Sequence, residues 1–486
     1  MARLAAVSAM ALTLGACQDL LNSSNGTTLA PSATPQTVAV VQRNNPLAQL
    51  ADKQTPQILA AYGGAYHDEK TEKLLAKIVG ALTAVPENPG DSFHIIILNS
   101  PTINAFALPG GAIFISRGML ALADDASEVA GIIGHEMGHV IANHGVKREQ
   151  FEEEQALNVR VADEVLSDPL SRAVAIGESK LKIASFSRQQ EYQADKIGVK
   201  IDGQAGYDPY ASARFLQAME AYRQFQAHGQ SNGAGGPDFL ADHPSSPDRI
   251  AAIMKNASAF GPEGVGDRGG GYYLDGIDGL LYGDSSKEGY VRGRKFLHPA
   301  LGIGFEVPPG FAIHNTKKAV LADGPGNLAI RFDSVDAPSN MSPTSYLVSG
   351  WVAGLVAGST RQITINGLDA ATADATASKW DFKVTVIRAA GKMYRFLVAA
   401  PIGSREIDRV AQSTEMSFHL LSAGEKAGLK PLRIRVVTVR PGDSVRSIAA
   451  NMQGVDDPAG LFTALNEMTD GEKLTPGEKV KIVVDQ

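Results

Sequence analysis

The order of apolar and polar positions predicts a helical first half of the chain. Val129, Ile132, Ile133 and Val140 recur at helical spacing and predict a helix from about residue 128 to residue 144. Further helices are predicted over residues 46–62, 68–84 and 171–199, and the apolar run 93–98 predicts a buried strand. The pattern therefore predicts a mainly helical domain with a small β-sheet over residues 46–262.

The pattern changes after a linker or hairpin at residues 263–288. Short alternating segments dominate residues 289–422 and predict an α+β domain with a mainly antiparallel sheet, interrupted by helical stretches at 342–357 and 404–416. The tail, residues 431–486, has the pattern of a strand, two helices and a closing strand. The whole chain is thus predicted to be a multidomain α+β protein.

The helix predicted over 128–144 carries the sequence His135-Glu136-Met137-Gly138-His139. On a helix His135 and His139 lie one turn apart on the same face, which is the spacing that two ligands of one tetrahedral Zn²⁺ need. Glu136 is rotated about 100° from His135, so it is placed to hold a water rather than to bind the metal. This pattern predicts a zinc site with hydrolytic chemistry.

Two glycines, Gly134 and Gly138, flank the motif within the predicted helix. Each would weaken an isolated helix by about 1 kcal/mol relative to alanine. We therefore expect another part of the chain to pack closely against this face.

A catalytic zinc needs a third protein ligand. His144 is a poor candidate, since it lies about 140° away from His139 on an ideal helix and is better placed as a histidine at the helix C-terminus. Glu191 and Asp195 are four residues apart in a second predicted helix and therefore share a face. One of the two carboxylates could bind zinc while the other orients a ligand histidine.

The two linked motifs resemble the gluzincin family of CAAX prenyl endopeptidases and HtpX-type heat-shock proteases, in particular its soluble periplasmic branch. Residues 104–111 and 113–115 resemble the family's strand pair beside the cleft. Arg188 precedes Glu191 by three residues, as in the family, and residues 243–249 resemble a loop that approaches the metal. The resemblance covers about residues 46–256.

The resemblance implies a role for each matching position. His135, His139 and Glu191 would bind one zinc ion, and Glu136 would be the general base. Asp195 and Arg188 would support the ligands from behind, and His243 and Arg249 would act on the substrate or the metal. An extended peptide substrate would pair with the edge strand beside the cleft. The residues expected to bind it there are Asn104, Ala105 and Phe106.

Two roles remain open for His243. As a fourth protein ligand it would occupy the coordination position of the catalytic water and inhibit the enzyme. As a residue that contacts substrate it would support catalysis instead. A Gly- and Ser-rich stretch ending at Pro237 precedes it.

The N-terminus predicts export and lipidation. Residues 1–16 have the short apolar run of a signal peptide, and Leu14-Gly-Ala-Cys17 resembles a bacterial lipobox. Cys17, the sole cysteine, can form no intramolecular disulfide and would carry the lipid. Residues 17–45 would tether the lipid to the first domain. Since Gln18 follows the cysteine, the resemblance implies a periplasmic lipoprotein on the inner face of the outer membrane.

Composition narrows the classes of partner. The 486 residues suggest about three domains, and 44% hydrophobic residues fit ordinary globular structure. A net charge of −7 argues against nucleic acid as a partner. The sequence predicts no oligomeric state.

The tail resembles a LysM module. Its opening strand and first helix match in residues 436–449, and its second helix and closing strand match in 461–466 and 474–482. The resemblance implies binding to the N-acetylglucosamine backbone of peptidoglycan, although such a module can also serve protein contact alone. We expect the catalytic half not to need it.

The predicted function is that of a zinc endopeptidase of the bacterial envelope. Its implied substrates are misfolded or unassembled envelope and outer-membrane proteins. Two alternatives are a peptidoglycan-tethered, chaperone-like binder that rarely cuts, and a peptidoglycan hydrolase.

Overall fold

The computed structural model describes residues 46–85, 93–165, 169–228, 238–336, 340–468 and 472–486. The predicted signal peptide, Cys17 and the linker at 17–45 lie outside these ranges, as does the Gly-rich stretch at 229–237. Within them the chain is multidomain α+β, as predicted, with a helical first part and several sheets that are mainly antiparallel. No helix of the described residues is both long and apolar enough to cross a membrane.

The first part is built from helices around a small sheet. The helices are α1 (Pro46–Ala61), α2 (Glu69–Thr83), α3 (Arg117–Leu122), α4 (Ala126–Ile141), α5 (His144–Val165), α6 (Pro169–Gln204), α7 (Ala211–His228), α8 (Phe239–Asp242), α9 (Pro247–Ala257) and α10 (Gly270–Ile277). The strands are β1 (His94–Leu98), β2 (Ala105–Leu108) and β3 (Ala112–Ser116). The sheet order is β1-β3-β2, with β1 parallel and β2 antiparallel to β3, so that β2 is an edge strand.

Helix α4 carries the His-Glu-x-x-His motif through the centre of this part. It begins after Asp125, whose side chain accepts a hydrogen bond from the backbone N–H of Glu128 and caps the helix. Every residue from Ala126 to Gly138 is buried. The predicted helix is therefore present and lies in the core.

Glycines allow α4 and α6 to touch at the backbone. A Cβ atom added to Gly138 would lie 2.7 Å from the Ala194 carbonyl oxygen, and one added to Gly198 would lie 2.8 Å from the His135 nitrogen. The expected close packing at Gly134 is also present, since Gly198 lies directly against it. This contact brings the motif on α4 against the acidic residues of α6.

The second part consists of two antiparallel sheets and their covering helices. The strands are β5 (Tyr290–Arg292), β6 (Lys295–His298), β7 (Ile303–Glu306), β8 (Ala312–Asn315), β9 (Val320–Gly324), β10 (Leu328–Asp336), β11 (Arg361–Ile365), β12 (Leu368–Ala377), β13 (Trp380–Ala389), β14 (Lys392–Pro401) and β15 (His419–Leu420). The helices are α11 (Pro343–Tyr346), α12 (Ile407–Ser417) and α13 (Ala423–Gly428). The sheet orders are β11-β12-β13-β14-β10-β9-β8 and β15-β7-β6-β5.

The helix predicted over 342–357 is too long. Helix α11 continues only as a π-helical turn, Leu347–Trp351, in which Gly350 has a φ of 98°. Leu355 then forms an isolated antiparallel bridge with Ala375. Glycine adopts this left-handed conformation at little cost, which ends the helix before the predicted boundary.

The tail forms the predicted order of strand, two helices and strand, in β16 (Leu432–Thr438), α14 (Val445–Ala449), α15 (Pro458–Leu465) and β17 (Lys479–Asp485). Strand β4 (Leu281–Tyr282) pairs with β16 as a third strand. The segment 263–288, expected to be a linker or hairpin, thus contains α10 and β4. Apolar residues of the tail and of the helical part share one core, so the expectation that the catalytic half is independent of the tail needs revision.

The contact between α4 and α6 yields a stability prediction. Gly198→Ala should destabilise the fold by about 1–3 kcal/mol, because the added methyl group overlaps backbone atoms that cannot move aside. Gly80→Ala in α2 is the matched control, since a Cβ there meets nothing within 4 Å and alanine is the better helix former. Urea unfolding measures both variants. Equal stability of Gly198→Ala and the wild type would contradict the tight packing.

Candidate metal centre

Four side chains from three elements meet at one point. His135 and His139 come from α4, Glu191 comes from α6, and His243 follows α8; one ligand atom of each lies within 4.8 Å of the others. The Nε2 atoms of His135 and His139 are 3.0 Å apart, and each is 3.4 Å from an oxygen of Glu191. Zinc ligands at the usual 2.0–2.1 Å in a tetrahedron are separated by about 3.3 Å. The donor atoms and their spacing therefore fit a zinc ion.

His243 occupies the fourth corner of this cluster. Its Nδ1 atom lies 3.2 Å from Nε2 of His135 and 3.1 Å from a Glu191 oxygen, while its Nε2 atom is 3.6 Å from Glu136. The imidazole stacks on the ring of Phe239, with 4.5 Å between centroids. In this arrangement His243 has the position of a fourth protein ligand.

Hydrogen bonds behind the ligands fix the orientation of both motif histidines. Nδ1 of His135 lies 2.8 Å from Asp195, and Nδ1 of His139 lies 3.0 Å from Nδ1 of His144. The other nitrogen of His144 is 3.2 Å from the side-chain oxygen of Gln193. Each motif histidine therefore directs Nε2 towards the centre, as ligand histidines do when their second nitrogen is held.

His144 illustrates what sequence reasoning missed. Its rejection as a ligand agrees with the structure, since it lies outside the cluster of four ligand atoms. Its contact with His139 was not foreseen, because it depends on the turn between α4 and α5, where Asn143 has a φ of 54°. The sequence feature that could have indicated a polar partner for His144 is Gln193, two residues after Glu191.

Arg249 is buried behind the ligands. Its guanidinium contacts both oxygens of Asp195 at 2.7 and 2.8 Å and one oxygen of Glu191 at 3.0 Å. It also donates to the carbonyl oxygens of His243 and Pro244. With its donors directed at these groups, Arg249 has the geometry of a residue that positions the ligands, rather than of one that acts on the substrate or the metal as the resemblance implied.

Arg188 does not take the supporting place predicted for it. It is exposed on α6, whereas Glu191 and Asp195, about one and two turns further along the helix, are buried. Among the described residues, the support predicted for Arg188 comes from Asp195, His144 and Arg249.

The electrostatics of the site favour a divalent cation. Three buried carboxyl groups, those of Glu136, Glu191 and Asp195, face the single guanidinium of Arg249. Burial alone would raise the pKa of Glu191, but hydrogen bonds to His135, His139 and His243 hold that pKa far below its usual range. The charge that remains uncompensated is negative, as a Zn²⁺ site requires.

The pKa values of the two motif histidines shift in opposite directions. Burial alone would lower the pKa of His135, but hydrogen bonds to Asp195 and Glu191 raise it to about 9. Burial lowers the pKa of His139 to about 3, so its imidazole is neutral and able to bind a metal. Burial raises the pKa of Glu136, whose Oε1 atom has no hydrogen-bond partner among the described residues. A buried carboxyl group with a free oxygen is the expected state of a general base that awaits a water.

Strand β2 lies directly beside the motif. The backbone N–H of Ala107 donates a hydrogen bond to Glu136, which fixes the general base to the sheet edge. Of the predicted substrate-binding residues, Asn104 donates inward to the Tyr62 hydroxyl, and Phe106 stacks on Phe114. Any substrate contact in this strand must therefore come from its backbone rather than from the Asn104 side chain.

Fold and site together define a metallopeptidase with a His-Glu-x-x-His helix and a glutamate as third ligand. Residues 69–257 match the model of peptidase family M48, so this segment is an M48 zinc metallopeptidase domain, and the predicted family and zinc cofactor are confirmed. The match covers the whole cluster of ligands from His135 to His243.

Named relatives agree with this assignment. The chain is 28% identical over 211 residues to the mitochondrial metalloendopeptidase OMA1 of Schizosaccharomyces pombe, covering 42% of this chain and 59% of that protein. It is 26% identical over 191 residues to the Beta-barrel assembly-enhancing protease of Escherichia coli, covering 35% of each chain. The chain thus spans less than two thirds of these relatives, and the similarity is one of the catalytic domain.

A solved structure, PsbP from Synechocystis, aligns with 28% of this chain and 98% of its own at 14% identity. The TM-score is 0.21, too low to carry an argument about the fold.

The geometry predicts how zinc binding responds to mutation. The wild type should hold about one zinc per chain, and Glu191→Ala should weaken zinc binding at least tenfold because it removes a ligand. His144→Ala should also weaken it, by about tenfold, by releasing the His139 ring. Competition with a chromophoric chelator measures the affinities, and His94→Ala, at the exposed first position of β1, is the control. Unchanged zinc affinity in Glu191→Ala would remove Glu191 from the ligand set.

Proposed function

We propose that the protein is a zinc endopeptidase that hydrolyses peptide bonds of misfolded or unassembled proteins in the bacterial envelope. The observation that carries this proposal is the cluster of His135, His139 and Glu191 beside Glu136, whose buried Oε1 atom has no hydrogen-bond partner among the described residues. The arrangement pairs a site for a divalent cation with a base, which is what hydrolysis of an amide by water requires.

The chain's own residues provide the proton transfers. Zinc, when bound at this site, supplies a Lewis acid that polarises the scissile carbonyl and lowers the pKa of water. Glu136 takes the proton from the attacking water and later gives it to the leaving amine. The hydrogen bond from Ala107 holds the carboxylate for both steps, so that it does not need to reorient between them.

The edge strand supports binding of extended chains. The backbone groups of Asn104 bond towards β3, because its N–H donates to Ser116 Oγ and its carbonyl accepts from Ser116 N–H. Backbone groups alternate along a strand, so those of Ala105 and Ala107 point away from β3. Because the Ala107 N–H bonds to Glu136, the groups placed to pair with a substrate are those of Ala105 and the Ala107 carbonyl. A substrate that pairs with this edge would be held by main-chain hydrogen bonds with little dependence on its sequence.

This mode of binding suits unfolded proteins, which expose extended segments of varied sequence. The name of the E. coli relative, Beta-barrel assembly-enhancing protease, points to clients in the outer membrane. We place the protein in the periplasm, anchored to the outer membrane by lipid on Cys17. Contact of the tail with peptidoglycan is part of the same proposal.

The resting state is proposed to be inhibited by His243. Its Nδ1 atom fills the corner of the cluster that an attacking water would need. The same segment also binds the first part of the sheet edge, since the Phe239 N–H donates to the Ile103 carbonyl at 2.9 Å. This position also favours the alternative of a chaperone-like binder that rarely cuts, if the segment never leaves.

The role of Glu136 provides the direct test of proteolysis. Glu136→Gln should lower kcat for a denatured envelope protein at least a thousandfold, because an amide cannot accept the proton of water. Zinc content should stay at about one equivalent. Casein digestion and release of muropeptides from peptidoglycan are measured in parallel. Muropeptide release that Glu136→Gln abolishes, without casein cleavage by the wild type, would replace the proposal with that of a peptidoglycan hydrolase.

The role of His243 is tested by its removal. If His243 restrains the enzyme, His243→Ala should raise kcat/KM for casein, because the fourth position becomes free for water. If it contacts the substrate or the oxyanion, the same change should lower kcat/KM by about tenfold to a thousandfold. A decrease in kcat/KM of His243→Ala at unchanged zinc content would contradict the proposal that His243 inhibits the enzyme.

Arg249→Ala is the control for this experiment. Arginine stays protonated and does not bind zinc, so its loss leaves no vacated ligand position. Because Arg249 holds both Asp195 and Glu191, its removal should lower activity under either role of His243. The double variant shows whether opening the site can offset that loss.

A further inference from the structure

A lysine of the tail reaches the turn that leads into the motif helix. Lys481 lies on β17, and its side chain is fully buried. Its ammonium group donates to the carbonyl oxygens of Ala121, Leu122 and Ala123 at 3.2, 2.6 and 2.8 Å. It also forms an ion pair with Asp124 at 2.7 Å. Ala121 and Leu122 are the last two residues of α3, and Ala123 and Asp124 begin the turn that leads to α4.

This arrangement matches the needs of the turn. The last carbonyl groups of α3 have no partner within their own helix, and a cation is favoured at that end of a helix dipole. A buried ammonium group is costly unless it is paired and hydrogen-bonded, and here each of its protons has an acceptor. The contact is therefore specific in geometry and not a chance approach of a surface lysine.

The turn sets the start of the motif helix. Asp124 is followed by the capping residue Asp125, whose carboxylate receives Arg268 at 2.6 Å. Lys481 is thus the counterion of the first acid in the turn, and Arg268 is that of the second. Glu128 lies in the first turn of α4. His135 follows it by seven residues, or about two turns, along the same buried helix.

We propose that Lys481 is a positioning residue for the metal centre, through which the C-terminal module holds the first turn of the motif helix in place. The inference rests on the proposed function, because it assigns the module a role in the same site. A shift of about 1 Å in a catalytic group costs on the order of a hundredfold in rate, so a support at this distance has a measurable effect.

The rest of the module is built to keep Lys481 in register. The backbone N–H of Lys481 donates to Asn466 Oδ1 at 2.7 Å, which ties β17 to the end of α15. Helix α15 meets α7 closely, where a Cβ on Gly460 would lie 2.7 Å from the ring of Phe225. The pairing of β16 with β4 closes the opposite side. The lysine is therefore presented by a docked module and not by a free tail.

Lys479 provides a matched control on the same strand. Its ammonium group pairs with Asp275 of α10 at 2.6 Å, so it also joins the tail to the helical part. Unlike Lys481 it is partly exposed, with 36% of its side chain accessible. Exposed ion pairs contribute little, so Lys479→Met should leave the site unchanged.

The experiment compares Lys481→Met and Lys479→Met in the full chain. We expect Lys481→Met to lower kcat for casein by about tenfold to a hundredfold with KM changed less than twofold, and to weaken zinc binding about tenfold. Hydrogen exchange should accelerate in residues 126–141 and stay unchanged in residues 380–389 of the distant sheet. Exchange that rises equally in both regions, or stays unchanged in both, would overturn the proposal.

A second variant separates positioning from loss of charge balance. Lys481→Met leaves the partly buried Asp124 without its cation, and Asp124→Asn in the same chain removes that charge. If Lys481 positions the helix through the carbonyl groups, the double variant should recover its melting temperature while kcat and zinc affinity stay low. Full recovery of zinc affinity would reduce Lys481 to a counterion.

The readouts also separate this inference from the proposed function. Zinc affinity and hydrogen exchange do not require proteolysis, so they test Lys481 even if the wild type cuts nothing. Loss of activity in Glu136→Gln together with unaltered zinc affinity in Lys481→Met would keep the peptidase and reject the positioning role.

Discussion

The metal centre depends on the backbone contact between α4 and α6. His135 and His139 lie on one helix and Glu191 and Asp195 on the other, and the side chains of Glu and His are short enough to meet only if the helices nearly touch. Gly138 and Gly198 allow this approach, since a methyl group at either position would overlap the facing helix. Each glycine lowers the stability of its own helix in isolation, and the close packing that the glycines permit offsets this loss.

Features that depend on local spacing were predictable. The motif helix follows from the periodicity around His135, and its ligand face follows from the separation of four residues between the two histidines. The unusual glycines predicted a close neighbour, and α6 is that neighbour. Glu191 as third ligand rested on the family resemblance, since the residues alone did not decide between it and Asp195.

Features that depend on contacts distant in sequence were not predictable. Lys481 meets Asp124 across more than three hundred residues, and its sequence neighbourhood is an ordinary closing strand. From the family resemblance Arg249 was expected to act on the substrate or the metal, but its guanidinium is bonded to Glu191 and Asp195 of α6. The boundary at Gly350 escaped detection because a helical pattern does not reveal a left-handed residue.

His243 and Arg249 belong to one segment. The residue proposed to compete with water for the metal, His243, is therefore attached close to a residue that supports the metal ligands. Arg249 is held in place by Asp195, and His243 precedes it by only six residues, so the histidine cannot move far from the metal site. A group on so short a tether has an effective concentration in roughly the millimolar range. A free ligand at micromolar concentration must therefore bind the metal roughly a thousandfold more tightly than this imidazole to displace it. Under the proposed inhibition by His243, this favours long chains, which would bind the sheet edge first and compete at the metal from there.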